Sequence, residues 1–158
     1  ICQTAPFASK NTIDPLKESS KRKKNCIIYA QKQFVPPIDR EDIVRLAVML
    51  HDLNSCLFSF AEYDFLNEFE PLSSIINKGY SLVRNCLKNK LKIDIDEVLS
   101  ERDRLCVLFM NERQKNTIET TINTKVLIKA IFFDKIDRCF EKIISVIDEM
   151  VFISIKNS

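Results

Sequence analysis

The chain has 158 residues, of which 46% are hydrophobic and 29% charged, and its net charge is +2. This length and composition are those of a single globular domain that is long enough to bury a core. The chain contains one Gly, which argues against sandwiches, barrels and glycine-rich phosphate loops, because all of these need many tight turns. The composition therefore predicts a mostly helical domain.

The first segment, residues 1–37, differs from the rest of the chain. Its apolar pattern is weak, and it contains four of the five prolines, at positions 6, 15, 36 and 37. It also contains a basic run formed by Lys21, Arg22, Lys23 and Lys24. We predict an irregular arm here, whose basic run either binds an anionic partner or is a solvated linker. The nearly balanced charge of the whole chain argues against nucleic acid as that partner.

Helical periodicity begins at Ile38 and continues in four amphipathic segments, which predict a bundle over residues 38–158. Asp39 is a suitable N-cap for the first helix. Pro71 predicts the end of that helix, because the residue before a proline avoids the helical conformation. The second helix is expected to begin near Ser73.

The second predicted helix contains Gly79, which costs about 1 kcal/mol relative to Ala in a helix interior. A close contact with a neighbouring helix would explain this glycine. The third helix is expected to begin at Asp94 or Asp96, and the fourth near Asn116 or Thr117. Short connections between the four helices predict an all-α, up-down bundle.

The six cysteines are widely spread along the chain, at Cys2, Cys26, Cys56, Cys86, Cys106 and Cys139. If the first two helices form an antiparallel hairpin that turns near Pro71, Cys56 and Cys86 lie level, which predicts a disulfide between them. Cys106 and Cys139 are not level about the next turn, so we expect each to bind one of the two cysteines of the arm. In the alternative, all six thiols are reduced and act as small hydrophobic side chains.

Catalytic and metal-binding signatures are weak. His51 is the single histidine, which excludes zinc sites built on two or three histidines. Cys56 lies about 140° from His51 around a helix, so the two do not face each other as nucleophile and base. No G-x-S-x-G motif presents a serine. We therefore expect neither an enzyme nor a cofactor, and no apolar window is long enough to span a membrane.

The predicted bundle and its spread cysteines favour a secreted binding protein that recognises a protein partner, such as a cell-surface receptor, through exposed helix faces. Its layout is similar to that of helical cytokines and secreted effectors, as an analogy of fold alone. The outward residues of the first and fourth helices are the candidate contacts, at Arg45, Asp52, Lys129 and Asp137.

Two other functions fit the same pattern. The first is an intracellular adaptor or viral host-interaction protein with reduced cysteines, which binds a partner helix in a groove. The second is a carrier that holds a small apolar ligand between phenylalanine-rich helices. The state of the thiols separates the adaptor from the secreted protein.

Overall fold

The computed structural model of the chain describes residues 15–32, 38–60, 69–116 and 124–157. These residues form helices and short connections, without a strand, and the prediction of an all-α fold is confirmed. The helices are α1 (Pro15–Lys32), α2 (Arg40–Phe60), α3 (Glu70–Lys88), α4 (Ile95–Lys115) and α5 (Thr124–Lys156). Among the described residues, no helix is both long enough and apolar enough to cross a bilayer.

The helix α1 corrects the prediction of an irregular arm over residues 1–37. Pro15 stands in its first turn, where a missing N–H costs nothing. Glu18 near its start and Lys32 near its end complement the helix dipole. The helix was missed because lysine and other polar residues dominate its sequence, so the apolar periodicity is weak. Residues 1–14 and 33–37 of the predicted arm lie outside the described residues.

Two helix starts show how local sequence acts at a boundary. The Asp94 side chain accepts a hydrogen bond from the backbone N–H of Glu97 at 3.1 Å and caps α4, which agrees with the first of the two predicted starts, Asp94 or Asp96. Pro71 has a different role from the predicted one. It lies in the first turn of α3, which begins at Glu70 and not near Ser73.

The helices α2 to α5 alternate in direction along the chain. Ion pairs from Arg45 to Glu149 and from Asp42 to Lys156 make α2 antiparallel to α5, since residue numbers fall along one helix as they rise along the other. Pairs from Arg102 to Asp148 and from Arg113 to Asp137 make α4 antiparallel to α5 as well. By contrast, α3 runs parallel to α5, because Phe69 stacks on Phe132 while Gly79 meets Ile143 further along both helices.

Helix α5 is the centre of the fold. It has 33 residues, a length of about 50 Å. It packs against α2, α3 and α4, while α1 packs against α2, and α3 against α4. The side chains that it buries almost completely are Phe132, Phe133, Ile136, Cys139, Ile143, Val146, Ile147, Met150 and Ile153. Over the described residues, α2 and α3 each pack against α5 and have no comparable contact with each other, so the hairpin on which the Cys56–Cys86 bridge depended is not formed there.

Gly79 lies where α3, α4 and α5 meet, which agrees with the close helix contact that we expected there. A Cβ at this position would stand 2.7 Å from Cγ2 of Ile143 on α5 and 3.7 Å from Cδ1 of Leu105 on α4. Both side chains are fully buried. Cγ2 is attached directly to the Cβ of Ile143, so it cannot move away without a change of rotamer.

The substitution Gly79→Ala is therefore expected to destabilise the protein. Ala improves helix propensity by about 1 kcal/mol, but overpacking a core costs about 1–3 kcal/mol. We expect a net loss of up to about 2 kcal/mol in the free energy of unfolding by urea. The loss should largely disappear in an Ile143→Leu background, because Leu has no Cγ2 methyl. The exposed change Lys78→Ala on the same helix serves as control, and a stabilising effect of Gly79→Ala alone would contradict the packing described.

Candidate functional site

None of the five cysteines in the described ranges is in a disulfide. Cys26 is exposed, whereas Cys86 and Cys139 are buried. The predicted bridge between Cys56 and Cys86 is not formed. Its premise was that α2 and α3 pack as a hairpin, and they do not. Likewise, Cys26 does not tether α1 to Cys106 or Cys139, and Cys2 lies outside the described residues.

The thiol of Cys56 instead meets that of Cys139. The antiparallel register of α2 and α5 brings these residues opposite each other, and their side chains are joined by a hydrogen bond. Cys139 is fully buried, whereas Cys56 is half-buried at the edge of the contact. We call these two residues the thiol pair. The spacing of cysteines along the sequence did not predict it, because the register of α2 on α5 was not known.

The two thiols of the pair differ in acidity. The hydrogen bond from Cys139 lowers the pKa of Cys56 to about 7, although partial burial acts in the opposite direction. The positive charges of Lys142, Arg138 and Lys135 on α5 lower it further. The same hydrogen bond raises the pKa of Cys139, and burial adds to that effect. At neutral pH, Cys56 therefore has the properties of a reactive thiol, while Cys139 stays protonated.

An ion-pair cluster joins the start of α2 to the end of α5. The buried carboxylate of Asp42 accepts hydrogen bonds from Arg45 Nη2 at 2.8 Å and from Lys156 Nζ at 2.9 Å. Arg45 Nε also donates to Glu149 Oε1 at 2.6 Å, and this hydrogen bond raises the pKa of the guanidinium. Lys156 pairs with Asp39 as well. Two helices are thus fixed to each other by a carboxylate that is shielded from water.

Arg45 also borders an exposed apolar surface. Its guanidinium lies 5.8 Å from the ring centre of Phe152 on α5, a distance that allows a cation–π contact. Phe152 is 52% exposed and Val48 is 38% exposed. Val48 and Asp52 follow Arg45 at helical spacing, so all three lie on one side of α2. We call Arg45, Val48, Asp52 and Phe152 the α2–α5 face.

The four predicted contact residues do not form one patch. Arg45 and Asp52 belong to the α2–α5 face, with Asp52 exposed. Asp137 instead accepts two hydrogen bonds from Arg113 Nε, at 3.0 and 3.2 Å, and so joins α4 to α5. Lys129 is exposed near the start of α5, about 30 Å along the helix from the end that contacts Arg45. Phe152 was not among the predicted contact residues, because a phenylalanine in an apolar helix is normally expected in the core.

The basic run lies on α1. Successive residues of a helix point about 100° apart, so these four side chains spread around the whole of α1. Arg22 Nε pairs with Glu18 Oε1 at 3.0 Å, and Lys23 is partly buried. Lys21 and Lys24 share an exposed side with Lys17, one or two turns apart. The four residues of the run therefore do not form one basic patch. Two of them, Lys21 and Lys24, form an exposed stripe together with Lys17.

The remaining polar candidate, His51, lies at the contact between α2 and α1. Its Nδ1 is 3.0 Å from Ser19 Oγ, in a hydrogen bond that joins the two helices. Among the residues that the structure describes, no three His, Cys, Asp or Glu side chains converge closely enough to hold a metal ion. His51 thus has a structural role between two helices.

The thiol pair makes a prediction about pH. Iodoacetamide reacts with thiolates, so alkylation of Cys56 in the folded protein should rise with a midpoint at about pH 7, below the ordinary value of 9.0. Mass spectrometry after timed alkylation measures the rate at each cysteine. Burial raises the pKa of Cys86 and Cys106, so both should react more slowly at neutral pH. The substitution Cys139→Ala should move the Cys56 midpoint upward, and an unchanged midpoint would contradict the role of the hydrogen bond.

Similarity to known proteins adds no information on these features. No family model matches the chain, and neither the curated proteins nor the solved structures include a match. The contacts, exposure and charge of the described residues therefore carry the functional proposals.

Proposed function

We propose that this protein is a helical recognition module that binds a protein partner through the α2–α5 face. The observation that carries the proposal is the exposed Phe152 ring beside the Arg45 guanidinium. Aromatic residues and arginine are enriched in protein interfaces and contribute most of the binding energy there. An exposed aromatic ring next to an arginine is therefore a suitable anchor for a partner.

The rigidity of this face supports the same proposal. Arg45 is fixed by Glu149 and by the buried Asp42, so it loses little side-chain entropy when a partner covers it. Val48 and Phe152 lie on two helices that these ion pairs join. A partner would thus meet side chains whose positions are already set, which lowers the cost of binding.

The free thiols favour an intracellular adaptor over a secreted protein as the class to which this recognition module belongs. Disulfides form and persist in oxidising compartments, and none of the five cysteines in the described ranges is paired in a disulfide. The secreted helical effector remains the second candidate, because its recognition mechanism is the same. The phenylalanines give less support to a carrier of an apolar ligand, since Phe69 stacks on Phe132 and Phe109 on Phe140 within the core.

A partner that uses the α2–α5 face should cross-link to it. A photo-reactive phenylalanine analogue at position 152 or 48 is expected to give an adduct with one and the same protein in cells that make this chain. Met110 on α4 is 60% exposed and apolar, so the analogue at that position is the matched control. Adducts of equal yield at position 110, or none at 152 and 48, would contradict the proposal.

The same partner then allows binding to be measured. Phe152→Ala should weaken binding more than about tenfold, as expected for an anchor residue. Because Phe152 is half exposed, the melting temperature should change little. Met110→Ala should leave both quantities unchanged. Wild-type affinity in the Phe152→Ala variant would show that the anchor lies elsewhere.

The thiol state of natively produced protein distinguishes the intracellular adaptor from the secreted effector. Intact mass is measured after alkylation with and without prior reduction. The adaptor predicts that the thiols react before reduction. If no thiol reacts until the protein is reduced, the secreted effector is the better proposal.

A further inference from the structure

We propose that Cys56 and Cys139 form a reversible disulfide that cross-links α2 to α5, with Cys56 as the attacking thiol and Cys139 as the resolving thiol. The geometry of the thiol pair carries this inference. Ion pairs at Asp42 and Arg45 fix the register of the two antiparallel helices, and this register sets Cys56 opposite Cys139. In this register each thiol also lies near enough to the other to shift its pKa.

The difference in exposure assigns the two roles. Cys56 is half-buried and therefore open to a small oxidant from solvent, whereas Cys139 is fully buried and can react only with Cys56. The lowered pKa of Cys56 agrees with its role as the attacking group, because the thiolate is the nucleophile. Reactive redox thiols are commonly placed beside such a resolving cysteine.

The surrounding charges indicate the kind of oxidant. Lys135, Arg138 and Lys142 on α5 are close enough to Cys56 to act on its pKa. An anionic, low-molecular-weight disulfide such as glutathione disulfide would be attracted to these positive charges. The exposed Arg138 is the group most accessible to it, although the guanidinium also pairs with Asp134 at 3.0 Å.

The reaction is a two-step thiol–disulfide exchange. The Cys56 thiolate attacks one sulfur of glutathione disulfide, which forms a mixed disulfide and releases one glutathione thiolate. Cys139 then attacks the Cys56 sulfur, breaks the mixed disulfide and passes its proton to the second glutathione as it leaves. Two electrons move from the two cysteines to glutathione disulfide, and an excess of reduced glutathione reverses both steps.

Other cysteines of the described chain are poorly placed for the same reaction. Cys86 is buried on α3, and the shift of its pKa arises from burial without any effect of another cysteine. For Cys106 on α4 the neighbouring influences are Arg102, Asp103 and Asp148. Cys86 is therefore the matched control, since it is buried as Cys139 is and was the partner that sequence spacing assigned to Cys56.

The experiment is incubation of the folded full chain with glutathione disulfide, followed by peptide mapping without reduction. We expect most of the wild-type product to contain the Cys56 and Cys139 peptides joined, and reduction to separate them. Cys56→Ser should abolish both this cross-link and any glutathione adduct at Cys139. Cys139→Ser keeps a hydrogen-bond donor but cannot resolve, so a glutathione adduct should accumulate at Cys56. Cys86→Ser should give the wild-type result.

Two outcomes would overturn the proposal. The first is a wild-type product in which Cys56 carries glutathione or joins Cys86 while Cys139 stays free. The second is an unchanged cross-link in the Cys56→Ser variant. Because a serine at the buried position 139 also affects folding, Cys139→Ala and a circular-dichroism spectrum of each variant keep the test valid. The half-buried Cys56→Ser variant tests the same pairing independently.

Discussion

The burial of α5 on three sides is the constraint on which the rest of the structure depends. Helices α2, α3 and α4 all pack against it, and its own side chains supply much of the core. To pack three helices around one, some of the helix axes must approach each other closely. Gly79 allows this for α3, because the missing Cβ leaves room for Ile143. Ion pairs to Asp148 and Asp137 fix α4 on another side.

Local sequence features predicted local structure well. The cap at Asp94 and the helical periodicity after Ile38 correspond to real elements, and Gly79 marks a close contact, as expected from its cost in a helix. Helix α1 was missed for a physical reason. Polar residues, lysine above all, dominate its sequence, so apolar residues do not form a clear helical repeat.

Predictions that depend on which helices are neighbours were less successful. The bridge from Cys56 to Cys86 assumed that two consecutive helices pack together, so that equal distances from the turn mean equal heights. In the fold, α2 packs against α5 and not against α3. Cys139 of α5 therefore lies opposite Cys56, where Cys86 was expected. Nothing in the spacing along the chain distinguishes these two pairings. Asp137 is a similar case. Its place on the outward side of the predicted helix suggested a contact with a partner, but in the fold it pairs with Arg113 of the neighbouring helix α4.

The attachment of α1 has a consequence for cooperativity. Within the part of the chain that the structure describes, the main contact of α1 is with α2, and Ser19 and His51 supply one of the links. It can separate from α2 without opening the core that α3, α4 and α5 share. Opening of α1 alone breaks fewer contacts than global unfolding does, so we expect it to require a smaller free energy. The stripe formed by Lys17, Lys21 and Lys24 lies on this helix, so we expect such an opening to move these charges away from the rest of the molecule.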